Sequence, residues 1–522
     1  MATPIPTNRA LFDLPDVAIA TGGTIRAHGP RNAAPAMGVF SDSRAVKPNS
    51  IFFALRGESH DGHAFLAKAV ENGASIVVVE KGRHQDVPPT VAVVEVDDTL
   101  VAWGSLAGAH LTRWRAQSMD GRVVAITGSA GKTTTKELTA LLLAQISPTH
   151  YTAGNLNNRI GVPAVIFALE PHHRYCVLEM GMSLPGELDA ICSFARPDVS
   201  VVVNVGVAHS EGVGGREGVM REKGAVYRAL DKGGIAIVNA DDAMVRRAAR
   251  LAHVRKVETF GRGPATTRPK GSFASEQPMA HFGHEPSFGP MSVPPMSLPP
   301  MSVPPAEIIA SAPPHYRLIE RATEGTGSRV VVGCAGRELT VHLPIPGEAA
   351  AIDLTAALAA QEAVSRQLLS AEQIDAALAK VSLQGRGTVR TLKSGVVLID
   401  DTYNANPSSM RAALATLREI AGERRKIAVL GEMKELGLLA EAEHEALGDD
   451  IVHAGVVLAI GCGGMIDLAL QVAGAKGVEI LRAASAEEAA KEAAARVQPG
   501  DAVLVKASRS VGAERVVTAL GD

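Results

Sequence analysis

Val123-Val124-Ala125-Ile126-Thr127-Gly128-Ser129-Ala130-Gly131-Lys132-Thr133-Thr134-Thr135-Lys136 decides the fold. A β-branched apolar run enters a turn of small residues, and Leu138, Leu141 and Leu142 then recur at helical spacing. Strand, loop and helix in that order make a phosphate-binding unit. Gly128, Ala130 and Gly131 let backbone N–H groups close around phosphate oxygens at a helix N-terminus, Lys132 supplies a point charge, and the Thr133 hydroxyl suits Mg²⁺. The more common phosphate loop carries a glycine where this chain has Ile126, so this is the shorter G-x-x-G-K-T form. A nucleoside triphosphate is the expected ligand.

Around this unit lie 522 residues, more than one ordinary core, so several domains are expected. A hydrophobic share of 46%, a charged share of 20% and a net charge of −3 describe a globular protein with no electrostatic reason to bind nucleic acid or an anionic membrane. The four cysteines, Cys176, Cys192, Cys334 and Cys462, form no C-x-x-C pair, which leaves neither a zinc site nor a disulfide framework and points to a reducing compartment. The first residues lack a basic segment followed by an apolar one, and no apolar run is long enough to span a bilayer. A cytoplasmic location without membrane insertion is expected.

Residues 1–97 read as a small α/β unit, with strands at Ser50–Leu55 and Ser75–Val79 and a helix from His63 to Asn72. A helix from Asp97 places Leu100, Trp103, Leu106, Leu111 and Trp114 on one face, which makes both tryptophans packing residues. After the phosphate loop, the polar stretch Thr152–Pro163 contains Asn155, Asn157 and Asn158. The strand Arg174–Glu179 ends in a carboxylate, and ligands of parallel α/β sheets lie beyond the carboxyl ends of strands, so Glu179 is the candidate Mg²⁺ ligand. A third strand from Val199 leads to His209, Lys223 precedes a helical stretch, and a further strand ends at Asn239.

Residues 262–314 interrupt the pattern. Met291–Pro305 repeats a five-residue unit with two prolines, which neither helix nor central strand accepts, and reads as an exposed insertion. Strands are expected at Arg329–Val332 and Leu339–Leu343, helices at Ala356–Gln367 and Glu372–Ala379, and a hinge at Gly385-Arg386-Gly387. Beyond it strands and helices alternate to the end, the pattern of a Rossmann-like domain, with a capping box at Ser485–Glu488. The domains expected are 1–97, 98–384 (with the insertion) and 385–522.

Four further stretches carry a resemblance: Asp42-Ser43-Arg44 with Asp61-Gly62-His63; Gly154–Pro163; Glu179-Met180-Gly181-Met182-Ser183; and Asp400–Met410, supported by Gly431–Gly437. In this order around a phosphate loop they resemble the Mur ligase family over nearly all of the chain outside the insertion. The branch resembled most closely joins D-alanyl-D-alanine to UDP-MurNAc-tripeptide with ATP, through an acyl phosphate. The resemblance implies three α/β domains: a small N-terminal one for the UDP substrate, a central phosphate-loop domain for ATP, and a C-terminal Rossmann-like one.

By the same resemblance, Lys132, Thr133, Glu179 and His209 match phosphate and Mg²⁺ positions, and Lys223 matches a lysine carbamylated by CO₂ and so converted into an anionic oxygen ligand. Ser129, Thr134 and Asn239 complete the expected nucleotide contacts of the central domain. Arg386 is expected on phosphate and Asp401 on ribose, with Tyr403, Asn404 and Asn406 lining the nucleotide or dipeptide cleft. Ser43 and Arg44 fall where the family holds its uridine nucleotide, and Asn155, Asn157 and Asn158 where that substrate meets the central domain. The implied enzyme is a monomer.

The chain departs from the family in two places. Ala350 and Asp353 stand where a G-x-H-N-x-x-N pattern has asparagines, and Gly224-Ala225 where Gly-Glu is common. Neither removes a phosphate or metal group, so activity is expected, with ATP affinity open to change. Of the rival readings, the ligase that adds a diamino acid one step earlier is disfavoured because its Asp-Asn-Pro-Arg motif is absent. A non-catalytic nucleotide-binding scaffold would not need Lys132, Glu179, His209 and Lys223 together.

Overall fold

The computed structural model describes residues 3, 5–30, 33–57, 60–85, 87–206, 212–263 and 313–521. His209 and nearly all of the Pro/Met-rich insertion lie outside the described residues. Among the described residues three large sheets follow one another along the chain, with a two-stranded one, Leu11–Phe12 against Ala36–Met37, beside the first. The first has strand order Thr24–His28, Ala92–Val96, Ala74–Glu80, Ser50–Phe53, Val39–Phe40, parallel except at the Thr24–His28 edge. The single helix expected over His63–Asn72 is two pieces, a 3₁₀ turn at Gly62–Phe65 and an α-helix at Leu66–Glu71. The Asp61 carboxylate draws the tighter turn by accepting both the backbone N–H and the ring Nδ1–H of His63.

The helix Thr99–Gln117, capped by Asp98, connects this sheet to the next. Trp103 and Trp114 are both buried. Trp103 stands edge-on to Phe53 of the first sheet at 5.2 Å and to Phe167 of the central region at 4.8 Å, and its Nε1 donates to the Ile160 carbonyl. Trp114 donates to the His173 carbonyl. They are packing residues, as the apolar face required. Truncating either to alanine would cost about 3–5 kcal/mol.

The central sheet has nine strands in the order Arg337–Leu343, Gly327–Cys334, Tyr316–Glu324, Lys256–Gly261, Ile235–Asn239, Val199–Val202, Arg122–Thr127, Tyr175–Glu179, Thr149–Tyr151. All neighbours are parallel except the last three strands in sequence, which close it as an antiparallel meander. Arg122–Thr127 lies between strands that leave it in opposite directions, so the phosphate loop opens at the switch point of the sheet. Tyr316–Glu324 escaped the sequence reading because a register shift between Leu318 and Glu320 breaks its alternation. The helix Glu348–Ser365 starts eight residues before Ala356, because an alanine-rich segment buried on most sides has little periodic contrast.

The C-terminal sheet has the order Thr388–Thr391, Val397–Asp401, Ala502–Lys506, Lys426–Leu430, Leu458–Cys462, Glu479–Ala483, parallel but for the first strand. Helices Pro407–Ala421, Ala440–His453, Ile466–Ala475 and Ala486–Arg496 cover it. The short edge strands Thr388–Thr391 and Glu479–Ala483 and the helix Ile466–Ala475 were not legible, since both strands are half exposed and glycines 461, 463 and 464 mask the helix start. Only one arm of the capping box at Ser485 forms. The Ser485 hydroxyl accepts from Glu488 N, while the Glu488 carboxylate accepts from Ala484 N instead.

Candidate active site

A cleft of about 700 Å³ opens between the carboxyl ends of the central and C-terminal sheets. One wall is the phosphate loop. Gly131 has φ 77°, and a side chain there would collide with the Asp353 carboxylate, so glycine is required. The loop is braced from the neighbouring strand end: the Asn204 side-chain oxygen accepts from Ser129 N at 3.0 Å and Ala130 N at 2.9 Å, and its amide donates to the Ala130 carbonyl. Ser129 Oγ in turn accepts from Gly206 N. Thr134 lines the cleft from the first turn of the helix.

Two lysine amines meet at one carbonyl. Lys132 Nζ donates to Gly128 O at 2.8 Å, and Lys223 Nζ donates to the same oxygen at 3.1 Å. Lys223 ends the helix Gly215–Lys223 and is fully buried. Burial, and then the charge of Lys132, hold the Lys223 amine well below the usual lysine range. Burial also lowers Lys132, against the pull of Glu179 and with the repulsion of Arg386.

Glu179, buried at the end of its strand, uses both carboxylate oxygens. Oε2 accepts from Thr133 Oγ1 at 2.7 Å and Oε1 from Asn157 Nδ2 at 2.8 Å. Among the described residues no group of three or more His, Cys, Asp or Glu side chains converges for a metal. Thr133 and Glu179 are nevertheless hard oxygen donors side by side, the set suited to a cation that keeps several of its waters.

The opposite wall comes from the C-terminal domain. Gly385 and Gly387, with φ of 67° and 73°, turn the chain on either side of Arg386, whose guanidinium stacks 3.8 Å from the Tyr403 ring centre. Arg509 approaches the same ring at 5.4 Å. Lys506 Nζ bridges the Asp401 carboxylate at 2.6 Å and the Asn404 carbonyl at 2.8 Å. Burial pushes the Asp401 carboxyl up, against the pull of Lys506. Asn406 caps the helix Pro407–Ala421 and donates to the Ser129 carbonyl across the cleft at 3.3 Å.

The structure therefore brings Gly128–Thr134, Glu179, Lys223, Arg386, Asp401, Tyr403, Asn404 and Asn406 together, with Asn155, Asn157 and Asn158 at the rim. Asn155 accepts from Thr3 Oγ1, and Asn158 caps Gly161 N. Asn239 is outside the cleft lining, because its amide spans Val203 O and Asp241 N and shapes the turn behind the loop. Ser43 and Arg44 also stand apart from this cleft. Ser43 is buried, its carbonyl accepting from Asn72 Nδ2, and Arg44 is exposed and forked onto Asp42.

Sequence reasoning missed Asn204, Lys434, Glu435, Lys506 and Arg509 as site residues. Lys506 follows the same rule that found Glu179, a polar residue at the carboxyl end of a buried strand. Glu435 had no such signal, being a non-glycine residue held at φ 65° in a loop. Of the two departures from the family pattern, Ala350 and Asp353 are in the cleft wall, the latter buried and its carboxyl raised by burial, whereas Gly224 and Ala225 lie outside the cleft lining.

Three family descriptions match successive parts of the chain: Mur ligase family, catalytic domain over residues 36–110; Mur ligase middle domain over 126–281; and Mur ligase, glutamate ligase domain over 385–509. The UDP-N-acetylmuramoyl-tripeptide–D-alanyl-D-alanine ligase of Escherichia coli K12 is 34% identical over 93% of both chains. The chain belongs to the Mur ligase family. Among solved structures, this Mur ligase is similar to MurF from Acinetobacter baumannii, with a TM-score of 0.78, 27% identity and 99% of both chains covered. It is also similar to MurF ligase from Thermotoga maritima in complex with ADP, with a TM-score of 0.71, 26% identity, and 92% of this chain and 96% of that one covered.

Proposed function

We propose that this Mur ligase joins D-alanyl-D-alanine to the terminal carboxylate of UDP-MurNAc-tripeptide, converting ATP to ADP and phosphate. What carries the reading is a full-length likeness to ligases of that name together with a cleft whose phosphate-loop wall faces a second, cationic wall. In the first step a carboxylate oxygen of the tripeptide attacks the γ-phosphorus, the bond to the β–γ bridging oxygen breaks, and ADP leaves with that electron pair. In the second the neutral amine of D-alanyl-D-alanine attacks the acyl carbon, the C–O bond to phosphate breaks, and the nitrogen gives one proton to the departing phosphate, keeping the other as the amide N–H.

Both steps crowd negative charge, so the cations of the cleft carry much of the catalysis. The Lys132 ammonium and the N–H groups at the N-terminus of the helix Lys132–Leu143 hold the β and γ phosphates, the loop before them being braced by Asn204, and Arg386 approaches them from the other wall. Asp401, steadied by Lys506, accepts a ribose hydroxyl, while Tyr403, Asn404 and Asn406 line the nucleotide or dipeptide side. Thr133 and Glu179, with His209 and Lys223, are the residues that would hold Mg²⁺, which supplies charge neutralisation and alignment of the phosphates. Lys223 fits this set as a carbamate: burial and the Lys132 charge favour the neutral amine that CO₂ requires, and the product is an anionic oxygen donor. Closure of the two walls excludes water from the acyl phosphate.

The N-terminal sheet, with Ser43 and Arg44, takes the uridine nucleotide, and Asn155, Asn157 and Asn158 meet its peptide end. The domain limits 1–97, 98–384 and 385–522 follow from these assignments. Among the described residues no helix is long and apolar enough to cross a membrane. A monomer working in the cytoplasm suits substrates carried on a soluble nucleotide. Asp401 and Tyr403–Asn406 on the cleft wall and the missing Asp-Asn-Pro-Arg motif support the dipeptide ligase over the diamino-acid ligase. The test is phosphate release by purified protein with Mg²⁺-ATP and UDP-MurNAc-tripeptide. Release that depends on D-alanyl-D-alanine, with pentapeptide product, is expected; turnover only with a dipeptide acceptor and a diamino acid would overturn the reading.

A further inference from the structure

One lysine beyond the phosphate loop is wholly buried and takes no part in the site described above. Lys136 lies on the helix Lys132–Leu143 with 0% of its surface exposed. Burying an ammonium costs several kcal/mol unless it is well paired, and a methionine would fill similar space without that cost. Its partners show what the charge holds. Nζ donates to the Thr152 carbonyl at 2.8 Å and to Glu137 Oε1 at 2.5 Å, and it lies 5.3 Å from the Tyr151 ring centre.

Thr152 is itself fully buried and is a junction. Its N–H donates to Val177 O at 3.0 Å, and its Oγ1 accepts from Glu179 N at 2.9 Å. From it the chain runs into the loop whose Asn157 grips Glu179 Oε1 at 2.8 Å and accepts from Gly181 N through its carbonyl at 2.8 Å. Thr152 and Asn157 thus hold Glu179 from its backbone and from its carboxylate. Lys136 ties the Thr152 end of that loop to the helix that carries Thr133, whose hydroxyl donates to the other Glu179 oxygen.

We propose that Lys136 is a positioning residue: by clamping the Thr152 carbonyl it fixes loop 152–158, and through that loop the orientation in which Glu179, with Thr133, accepts a divalent cation. The inference rests on the ligase reading and adds to it a residue that touches neither nucleotide nor metal. Outer partners of metal ligands typically affect metal affinity or activity by about 10–100-fold. Lys136→Met is therefore expected to weaken Mn²⁺ binding in the presence of ADP, followed by electron paramagnetic resonance, by about 10–100-fold. In the same variant kcat falls by a similar factor while KM for D-alanyl-D-alanine, which meets the opposite wall, is unchanged, and amide exchange in residues 152–158 of the metal-free protein accelerates.

Thr152→Val removes the acceptor for Glu179 N and reproduces these effects, whereas Thr152→Ser keeps the hydroxyl and retains wild-type behaviour. The double variant Lys136→Met/Thr152→Val is no worse than either single one, because the two break successive links of one path, Lys136 to the Thr152 carbonyl and the Thr152 hydroxyl to Glu179 N. A Lys136→Met protein that binds Mn²⁺ and turns over like the wild type overturns the inference. Should that variant not fold, Thr152→Val with undiminished Mn²⁺ affinity overturns it equally. A wild type that binds Mn²⁺ and ADP but shows no dipeptide-dependent phosphate release removes the ligase reading while the Mn²⁺ comparison still judges Lys136.

Discussion

The two walls of the cleft are built on different principles. On the central side the described groups are fixed by neighbours in the same domain: Gly128 O under two lysine amines, Ser129 and Ala130 on Asn204, Glu179 between Thr133 and Asn157. On the C-terminal side Arg386 sits between two left-handed glycines and leans on Tyr403, held by stacking rather than by a fork of hydrogen bonds. Preorganised donors cost no reorganisation when charge develops, so the first wall is suited to the chemical step. The second is suited to arriving with the nucleotide and closing over it.

The largest expected effects test that division directly. Lys132→Ala and Glu179→Gln each lower kcat by about 10³-fold, because the lost interactions act on charge formed in the transition state. Arg386→Lys keeps the charge but loses the planar stack on Tyr403, and raises KM for ATP by about tenfold with a smaller change in kcat. Steady-state kinetics on the three variants are the measurement. A kcat loss at Arg386 as large as that at Glu179 would break the comparison and make both walls chemical.

A second set of contacts sets how often the walls meet. Helix Pro407–Ala421 touches the central domain along one stripe: Asn406 on Ser129 O, Thr416 against Gly347, and Glu419 forked by Arg321 with N–O distances of 2.7 Å, with Thr323 Oγ1 donating to the same carboxylate. Arg321 is only 12% exposed and Glu419 33%, so this pair is better shielded than most surface ion pairs. Glu419→Gln is expected to weaken the closed arrangement by about 1 kcal/mol. That raises KM for ATP and for D-alanyl-D-alanine, which bind between the walls, by about fivefold with kcat nearly unchanged. Small-angle scattering of the free protein should report a larger radius of gyration, and an unchanged radius with unchanged KM would show that closure does not depend on this pair.

The legibility of the sequence followed the same division. Glu179 and the phosphate loop could be read because strand, turn and helix are continuous in the chain, and the carboxyl-end rule needs only a local pattern. Lys223 and Asn204 required knowing that distant strands come to one edge, and Asn239, outside the cleft lining, shows that a polar residue at a strand tip can equally spend its amide behind the loop. The C-terminal wall was harder still. Arg386, Asp401 and Tyr403 entered through resemblance, while Lys434, Glu435 and Arg509 lie in loops whose local sequence states no ligand chemistry. Among folds, Glu348–Ser365 was shortened because alanines buried on most faces carry no helical period.

The smallest expected effect asks whether the scaffold behind the central wall responds to pH while the other does not. His173 stands two residues before the strand that ends in Glu179, and its Nδ1 accepts from Glu170 N at 3.0 Å. Burial, then His150 and His172 nearby, lower it from 6.5 to about 4, against the pull of Glu170. The unfolded chain therefore takes up the proton between those values while the folded one resists, so stability is fully present above pH 6.5 and declines as pH falls toward 4. Part of the ring is exposed and solvent screens the effect, so the decline is small, about 2–4 °C in Tm. His173→Gln should flatten the slope over that range, and amide exchange should place the pH-dependent loosening at the start of Tyr175–Glu179 and not in the C-terminal sheet. Equal loosening of both sheets would mean that the two walls share one stability, and that the difference between them is confined to their side chains.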